Sequence, residues 1–359
     1  MSFRPAHLVI AMLVSCFAIS QSTNETPADV ARRIRREDAE KRALFQSAET
    51  LQLTLEGNFS ALAKERDPDN AKPYPGTIRM AGPDNRTLEI PVQLSPRGNL
   101  RRKTCAFVPL RVAFDKDASK GTVFEMRGSG VKLVTHCQNT GEDEQYILRE
   151  YLAYKIGNVI TPRTFRPRLA HITYVESEKK KTVATRYAIF LEDDDDVARR
   201  LEGKIVDREL AFNQLHPVAL IEMTLFEYMI GNTDYSIYAR HNVRVVEGAV
   251  GLAYPIPYDF DVSGLVNVPY AIPDPRLHIQ YLTERIYRGP CRTSQQLEPF
   301  LNRFRAKKDE VEAAIEAVPD LTALNRRQAS SFLNGFFSLI NKPSSVKHEL
   351  IDHCIKSGN

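Results

Sequence analysis

Three polar groups in the second half of the chain offer the residue types for a defined chemistry. Asn232-Thr233-Asp234-Tyr235-Ser236 follows an apolar stretch that stops at Gly231, His241-Asn242 stands seven and eight residues beyond Asp234, and Tyr258-Asp259-Phe260-Asp261 closes on Ser263-Gly264. Phosphoryl transfer needs a carboxylate to orient or deprotonate the attacking hydroxyl, and an amide oxygen with a second carboxylate to hold Mg²⁺ against the phosphates. Asp234, Asn242 and Asp259 supply that trio. The same residue types also cap helices and build turns, which is their commonest use, and that reading stands beside the first.

Phosphoryl transfer further calls for a lysine on a sheet to meet the phosphates and a glutamate on the following helix to hold it. Lys132, inside Val131-Lys132-Leu133-Val134, and Glu150, on a helical stretch from Glu144, occur in that order. Arg97, Arg101, Arg102 and Lys103 could hold phosphates as well, or sit on a solvated turn. No G-x-G-x-x-G precedes Lys132; Arg127-Gly128-Ser129-Gly130 is a shorter glycine-bearing segment. A hydrolase is less supported, since the chain has no G-x-S-x-G or H-E-x-x-H.

The elements that must position these residues change character along the chain. Residues 51–55, 88–94, 110–114 and 131–134 are short β-rich runs separated by Pro, Gly, Asp and Asn, which predicts a mostly antiparallel sheet with Pro91 on an edge strand. Tyr146-Ile147-Leu148, Tyr151-Leu152 and Ile156 recur at helical spacing and predict an amphipathic helix on that sheet. Two more strands, 170–175 and 186–191, flank a lysine-rich hairpin tip at Lys179-Lys180-Lys181. Helices are expected at 216–230, 295–318 and 326–340. Between them, strands at 243–246 and 250–254 around Glu247-Gly248 would form a hairpin bringing Asn242 and Asp259 to one edge. Asp193-Asp194-Asp195-Asp196 reads as a solvated loop or a helix N-terminus. The fold class is therefore α+β, with 21–50 a linker or exposed helix, 51–192 β-rich and 193–359 α-rich.

The order of a strand lysine, a helix glutamate, Gly231-Asn232-Thr233-Asp234, His241-Asn242 and Tyr258-Asp259-Phe260-Asp261 resembles the CotH family of atypical, spore-coat-type protein kinases, and more distantly the HipA-like kinases. The likeness runs thinly from Arg97-Gly98 to Gly264, and its specific part is the stretch from Gly231. It implies an atypical protein-kinase-like two-lobed fold, with a β-rich N-lobe and an α-rich C-lobe. It also implies ATP and Mg²⁺ as cofactors, Asp234 as catalytic base, Asn242 and Asp259 as metal ligands, Asp261 as a second acidic ligand, Lys132 on phosphate and Glu150 orienting Lys132. The expected activity is transfer of phosphate to a hydroxyl on a protein or small molecule. The alternative is a non-catalytic, pseudokinase-like envelope protein that binds or supports.

The 359 residues carry a net charge of +4 and 26% charged residues, an ordinary soluble composition that gives no ground for a nucleic-acid partner. Arg4, an apolar run over residues 8–19 and Ala18-Ile19-Ser20 read as a secretory signal peptide over 1–20, too short to remain as a membrane span. Leu13-Val14-Ser15-Cys16 also resembles a lipobox, which would make the protein a lipoprotein at Cys16. A secreted or periplasmic location is expected. The remaining Cys105, Cys137, Cys291 and Cys354 would then form one or two disulfides, or stay as buried thiols, and spacing does not settle their pairing.

Overall fold

A computed structural model describes residues 25–67, 71–82, 86–126, 128, 130–248 and 251–356. The signal-peptide stretch, Cys16, Arg127, Ser129 and Val250 lie outside the described residues. The strands are β1 Leu51–Gly57, β2 Tyr74–Ala81, β3 Thr87–Pro96, β4 Leu110–Phe114, β5 Val131–Val134, β6 Pro167–Glu176, β7 Lys181–Leu191, β8 Lys204–Ile205, β9 Val243–Glu247 and β10 Ala253–Pro257. The helices are α1 Pro27–Glu40, α2 Phe59–Leu62, α3 Leu100–Thr104, α4 Lys116–Ser119, α5 Gly141–Ile160, α6 Asp194–Arg200, α7 Pro217–Ile230, α8 Ser294–Ala306, α9 Lys308–Glu316, α10 Ala323–Ile340 and α11 Pro343–Val346. The protein is thus mixed α/β. No helix among the described residues is long and apolar enough to cross a membrane.

Seven strands close a barrel in the order β1-β2-β3-β4-β5-β7-β6, sealed by a parallel pairing of β1 with β6 from Leu51–Ala170 to Gly57–Glu176. Period-two alternation turns Leu53, Leu55, Ile90, Val92, Leu94 and Phe190 into the barrel. On β5, Val131 and Leu133 face this interior, so Lys132 must point to the opposite side.

The sheet departs from the expected one in two places. β2 lies in a stretch that Pro73, Pro75 and Gly76 make look like a turn, yet it pairs with both β1 and β3. Pro91 is on a barrel strand flanked on both sides, not on an edge. Its missing N–H falls where β4 has just ended: Phe114 is the last partner, opposite Val92, and the Asp115 N–H donates to the Pro91 carbonyl at 3.0 Å. The proline therefore gives up one bond at the very end of the β3–β4 ladder rather than one in its interior.

Beyond Leu191 most elements are helical, around a second core that includes Leu148, Leu152, Phe226, Phe304 and Phe336. α5 starts where the Thr140 hydroxyl accepts the Asp143 N–H at 3.0 Å, with Glu142, Asp143 and Glu144 in its first turn suiting the helix dipole. It is buried on most of its circumference rather than on one stripe, because it lies between barrel and helices. The expected helix over 295–318 breaks at Lys307 into α8 and α9. α1 is a helix but not a free linker: Arg36 meets Glu202, and the Arg42 guanidinium pairs with Asp196 at 2.7 Å. The acidic run is accordingly an N-terminus of α6 with Asp193 and Asp196 buried, not a solvated loop.

Both disulfides form. Cys105–Cys137 ties the chain before β4 to the chain after β5, and Cys291–Cys354 ties the chain before α8 to the C-terminal turn.

Candidate active site

α7 stops at Gly231, whose φ of +65° is open to glycine and where a Cβ would sit 2.8 Å from the Phe332 ring. The turn this permits lets the Asn232 side-chain oxygen accept the Asp234 N–H at 3.0 Å. Ser236 and His241 then exchange two backbone bonds, at 3.0 and 2.9 Å, folding the loop back on itself. Asn242 is thereby returned to Asp234. Its side-chain amide donates to the Asp234 carbonyl at 2.8 Å and to its carboxylate at 3.1 Å, while His241 Nε2 lies 3.0 Å from the other carboxylate oxygen.

The hairpin of β9 and β10 pairs Val243 with Pro257, and one step further the Tyr258 N–H donates to the Asn242 carbonyl at 3.0 Å. This brings Asp259 beside Asn242, as the sequence led us to expect. Both sit in the left-handed region, with φ of 53° and 64°, which Asn and Asp tolerate better than most residues. The Asp259 N–H donates to the hydroxyl of Tyr154, a fully buried side chain of α5, at 2.8 Å. Asp261 accepts from the Tyr270 hydroxyl at 2.8 Å.

Cations face these acids across a cleft of about 530 Å³. Its lining includes Lys132, Asp234, Asn242, Asp259 and Asp261, five of the six residues singled out from sequence, together with Arg97, Arg101, Arg111 and Arg244. Glu150 lies at its base, lining a smaller space with Arg101 and Asp261. Among the described residues, the group of three His, Cys, Asp or Glu side chains close enough to share an ion is the His348, Glu349, His353 set, outside the cleft lining. Asp234, Asp259 and Asp261 do not converge in that way. Oxygen donors from Asn242 and one or two carboxylates, completed by water, nevertheless suit Mg²⁺, which keeps much of its hydration shell.

The implied Lys132–Glu150 pair is replaced by two others. Lys132 ion-pairs with Asp194, and its Nζ lies 4.8 and 4.7 Å from the ring centres of Phe165 and Tyr258. Glu150 meets Arg101 at 3.5 Å, and Arg101 approaches Asp261 at 3.9 Å. Register explains the exchange: Lys132 stands opposite Leu191 of β7, and Asp194 follows only three residues later. Asp194 also accepts from Arg244 at 2.8 Å.

Burial sets the electrostatics. It pushes the Lys132 ammonium down to about 8, with Arg97 and Arg244 adding to the effect and Asp194 opposing it. Asp194 is likewise buried, but Lys132 and Arg244 hold its carboxyl below the usual range. Burial, and then the neighbouring Asp259, push Asp261 up to about 6 against the pull of Arg101. Glu150 is raised well above an ordinary glutamate, chiefly by burial, with Arg101 pulling the other way. The hydrogen bond to Asp234 raises His241.

Sequence reading missed Asp194, Arg244, Tyr154 and Tyr270. Arg244 had a usable signal, as the lone charge in Val243-Arg244-Val245-Val246, the same pattern that singled out Lys132. Tyr154 and Tyr270 had none, since their role depends on which backbone groups come near. No protein-family model and no curated protein matches the chain.

Proposed function

We propose that the cleft is the site of a nucleotide-dependent phosphotransferase, an exported CotH-like atypical kinase with a β-rich and an α-rich lobe, acting on a hydroxyl of a protein or small molecule. The observation that carries this reading is the convergence on one cleft of the Asp234, Asn242 and Asp259 trio with Lys132 and several arginines. Asp234, at the mouth of its loop, accepts the proton of the acceptor hydroxyl, whose oxygen then bonds to the terminal phosphorus as the bond to the nucleoside diphosphate breaks. Asn242 and His241 hold the Asp234 carboxylate in place. Lys132, Arg111 and Arg97 supply positive charge for the phosphate oxygens. Asn242 and Asp259, with Asp261, would hold Mg²⁺, which supplies charge neutralisation to the transferring group. Two disulfides support the oxidising compartment that export implies.

A second reading, a non-catalytic envelope protein on the same fold, is favoured by one feature: Lys132 is already neutralised by Asp194, and the Asp234 carboxylate is already engaged. Thermal stability of the oxidised protein with and without ATP and Mg²⁺ separates them, because a ligand that binds only the folded state raises stability by mass action. The phosphotransferase reading expects a Mg²⁺-dependent rise at millimolar nucleotide. No rise would leave the binding or structural reading.

A further inference from the structure

The barrel has a second polar feature that the cleft does not use. Alternation along β6 sends Ala170, Ile172, Tyr174 and Glu176 into the interior, so a tyrosine and a carboxylate are buried at one mouth. There they border a pocket of about 230 Å³ whose walls include Phe59, Leu62, Phe107, Val108 and Thr135. Ring centres of Phe59 and Phe107 each lie 5.4 Å from that of Tyr174, and 6.1 Å from each other, forming an aromatic corner.

Buried polar atoms normally have partners, and several here have none. The Tyr174 hydroxyl, the Thr135 hydroxyl and Glu176 Oε1 are all buried and unpartnered, on side chains at most 3% exposed. Glu176 Oε2 accepts from the Ser60 N–H at 3.0 Å and the Ser60 hydroxyl at 2.8 Å, which fixes the carboxylate and leaves Oε1 spare. No Lys, Arg or His pairs with Glu176 among the described residues. A buried carboxylate without a counter-charge is costly, and a ligand that brings a cation and N–H donors removes that cost. Aromatic faces beside it favour a cation further.

We propose that this mouth of the barrel is a binding site for a small organic amine, whose ammonium group donates to Glu176 Oε1 and the Tyr174 and Thr135 hydroxyls while its apolar body lies against Phe59 and Phe107. The volume exceeds the roughly 150 Å³ that holds a benzene, so a ring with a short aminoalkyl chain fits. The wall carrying Phe107 is fixed in the oxidised protein: the Ala106 and Phe107 N–H groups both donate to the carbonyl of Cys137, at 3.0 and 3.1 Å, next to the Cys105–Cys137 bridge.

Titration calorimetry of the oxidised full chain with 2-phenylethylammonium, and with neutral 2-phenylethanol as control, tests this. The amine should bind, the alcohol should bind at least about tenfold more weakly, a difference of about 1.4 kcal/mol, and Glu176→Gln should bring the amine to the level of the alcohol. Equal binding of the two ligands, or unchanged amine binding by Glu176→Gln, overturns the proposal. So does an absence of binding, which would mean that the pocket holds water alone. Should Glu176→Gln not fold, Thr135→Val and Tyr174→Phe serve instead, each expected to weaken the amine and not the alcohol.

Discussion

Asn242 reaches across eight residues to hold Asp234 by two hydrogen bonds, one to its carbonyl and one to its carboxylate. In the H-R-D-x-x-x-x-N loop of protein kinases the corresponding spacing is five. The additional residues here are absorbed by the tight Ser236–His241 pairing, so the longer loop still places carboxylate and amide side by side. The side chain of Asp234 remains 40% exposed.

That exposure shapes the first prediction. On the proposed phosphotransferase reading, Asp234→Ala should abolish phosphate transfer while leaving the melting temperature nearly unchanged, since the turn is held by the Asp234 backbone N–H on Asn232. Positioned general bases contribute about 10²–10⁴-fold. Transfer retained by the variant would remove Asp234 from the mechanism, and loss of folding would favour a structural role.

Asp259→Ala should cancel any Mg²⁺-nucleotide shift in melting temperature. Tyr154→Phe probes the same residue from beneath, because it leaves the Asp259 N–H without its acceptor, at a cost of about 1–3 kcal/mol for an unsatisfied buried group. Urea unfolding reads this cost. A neutral outcome would show that water replaces the hydroxyl.

Asp261 gives a pH signature. Its folded-state carboxyl is raised to about 6, so the folded state holds this proton more tightly than the unfolded chain does. The contribution to stability is present in full below the ordinary carboxylate range and is lost as pH rises through about 6. Wild type should therefore lose melting temperature relative to Asp261→Asn between pH 4 and 7. Parallel profiles for the two proteins would show that Asp261 does not titrate there.

Cys105→Ser tests the tether between β4 and β5. The bridge spans 32 residues, for which a loss of about 2–4 kcal/mol in urea unfolding is expected. On the proposed reading the same variant should also weaken nucleotide binding, because the freed segment carries Arg101 to Glu150 and Asp261.

Much of this arrangement was legible in the residues. The hairpin that joins Asn242 to Asp259 followed from two apolar runs around Glu247-Gly248, and Gly231 marked the end of α7. The strands with clean alternation were found, whereas β2 was hidden because Pro75 and Gly76 resemble a turn unless two flanking strands supply the missing context. Pairing choices were the least accessible part. Lys132 and Glu150 were both recognised, but which acid a buried lysine meets depends on barrel register, and only the pairing of β5 with β7 puts Asp194 within reach. Arg101 reads from sequence as a phosphate ligand or a turn residue, and its burial against Glu150 depends on how α3 docks.

The parallel seam between β1 and β6 also sets an order of events in time. β1 cannot find its partner until residues 167–176 exist and have turned back, more than a hundred positions later, so a chain emerging from its N-terminus carries an unclosed sheet through that whole interval. Contacts of such long range slow folding. The open sheet leaves an unpaired strand exposed meanwhile, and that window of delay is when the chain is most open to pairing with another copy and to aggregation.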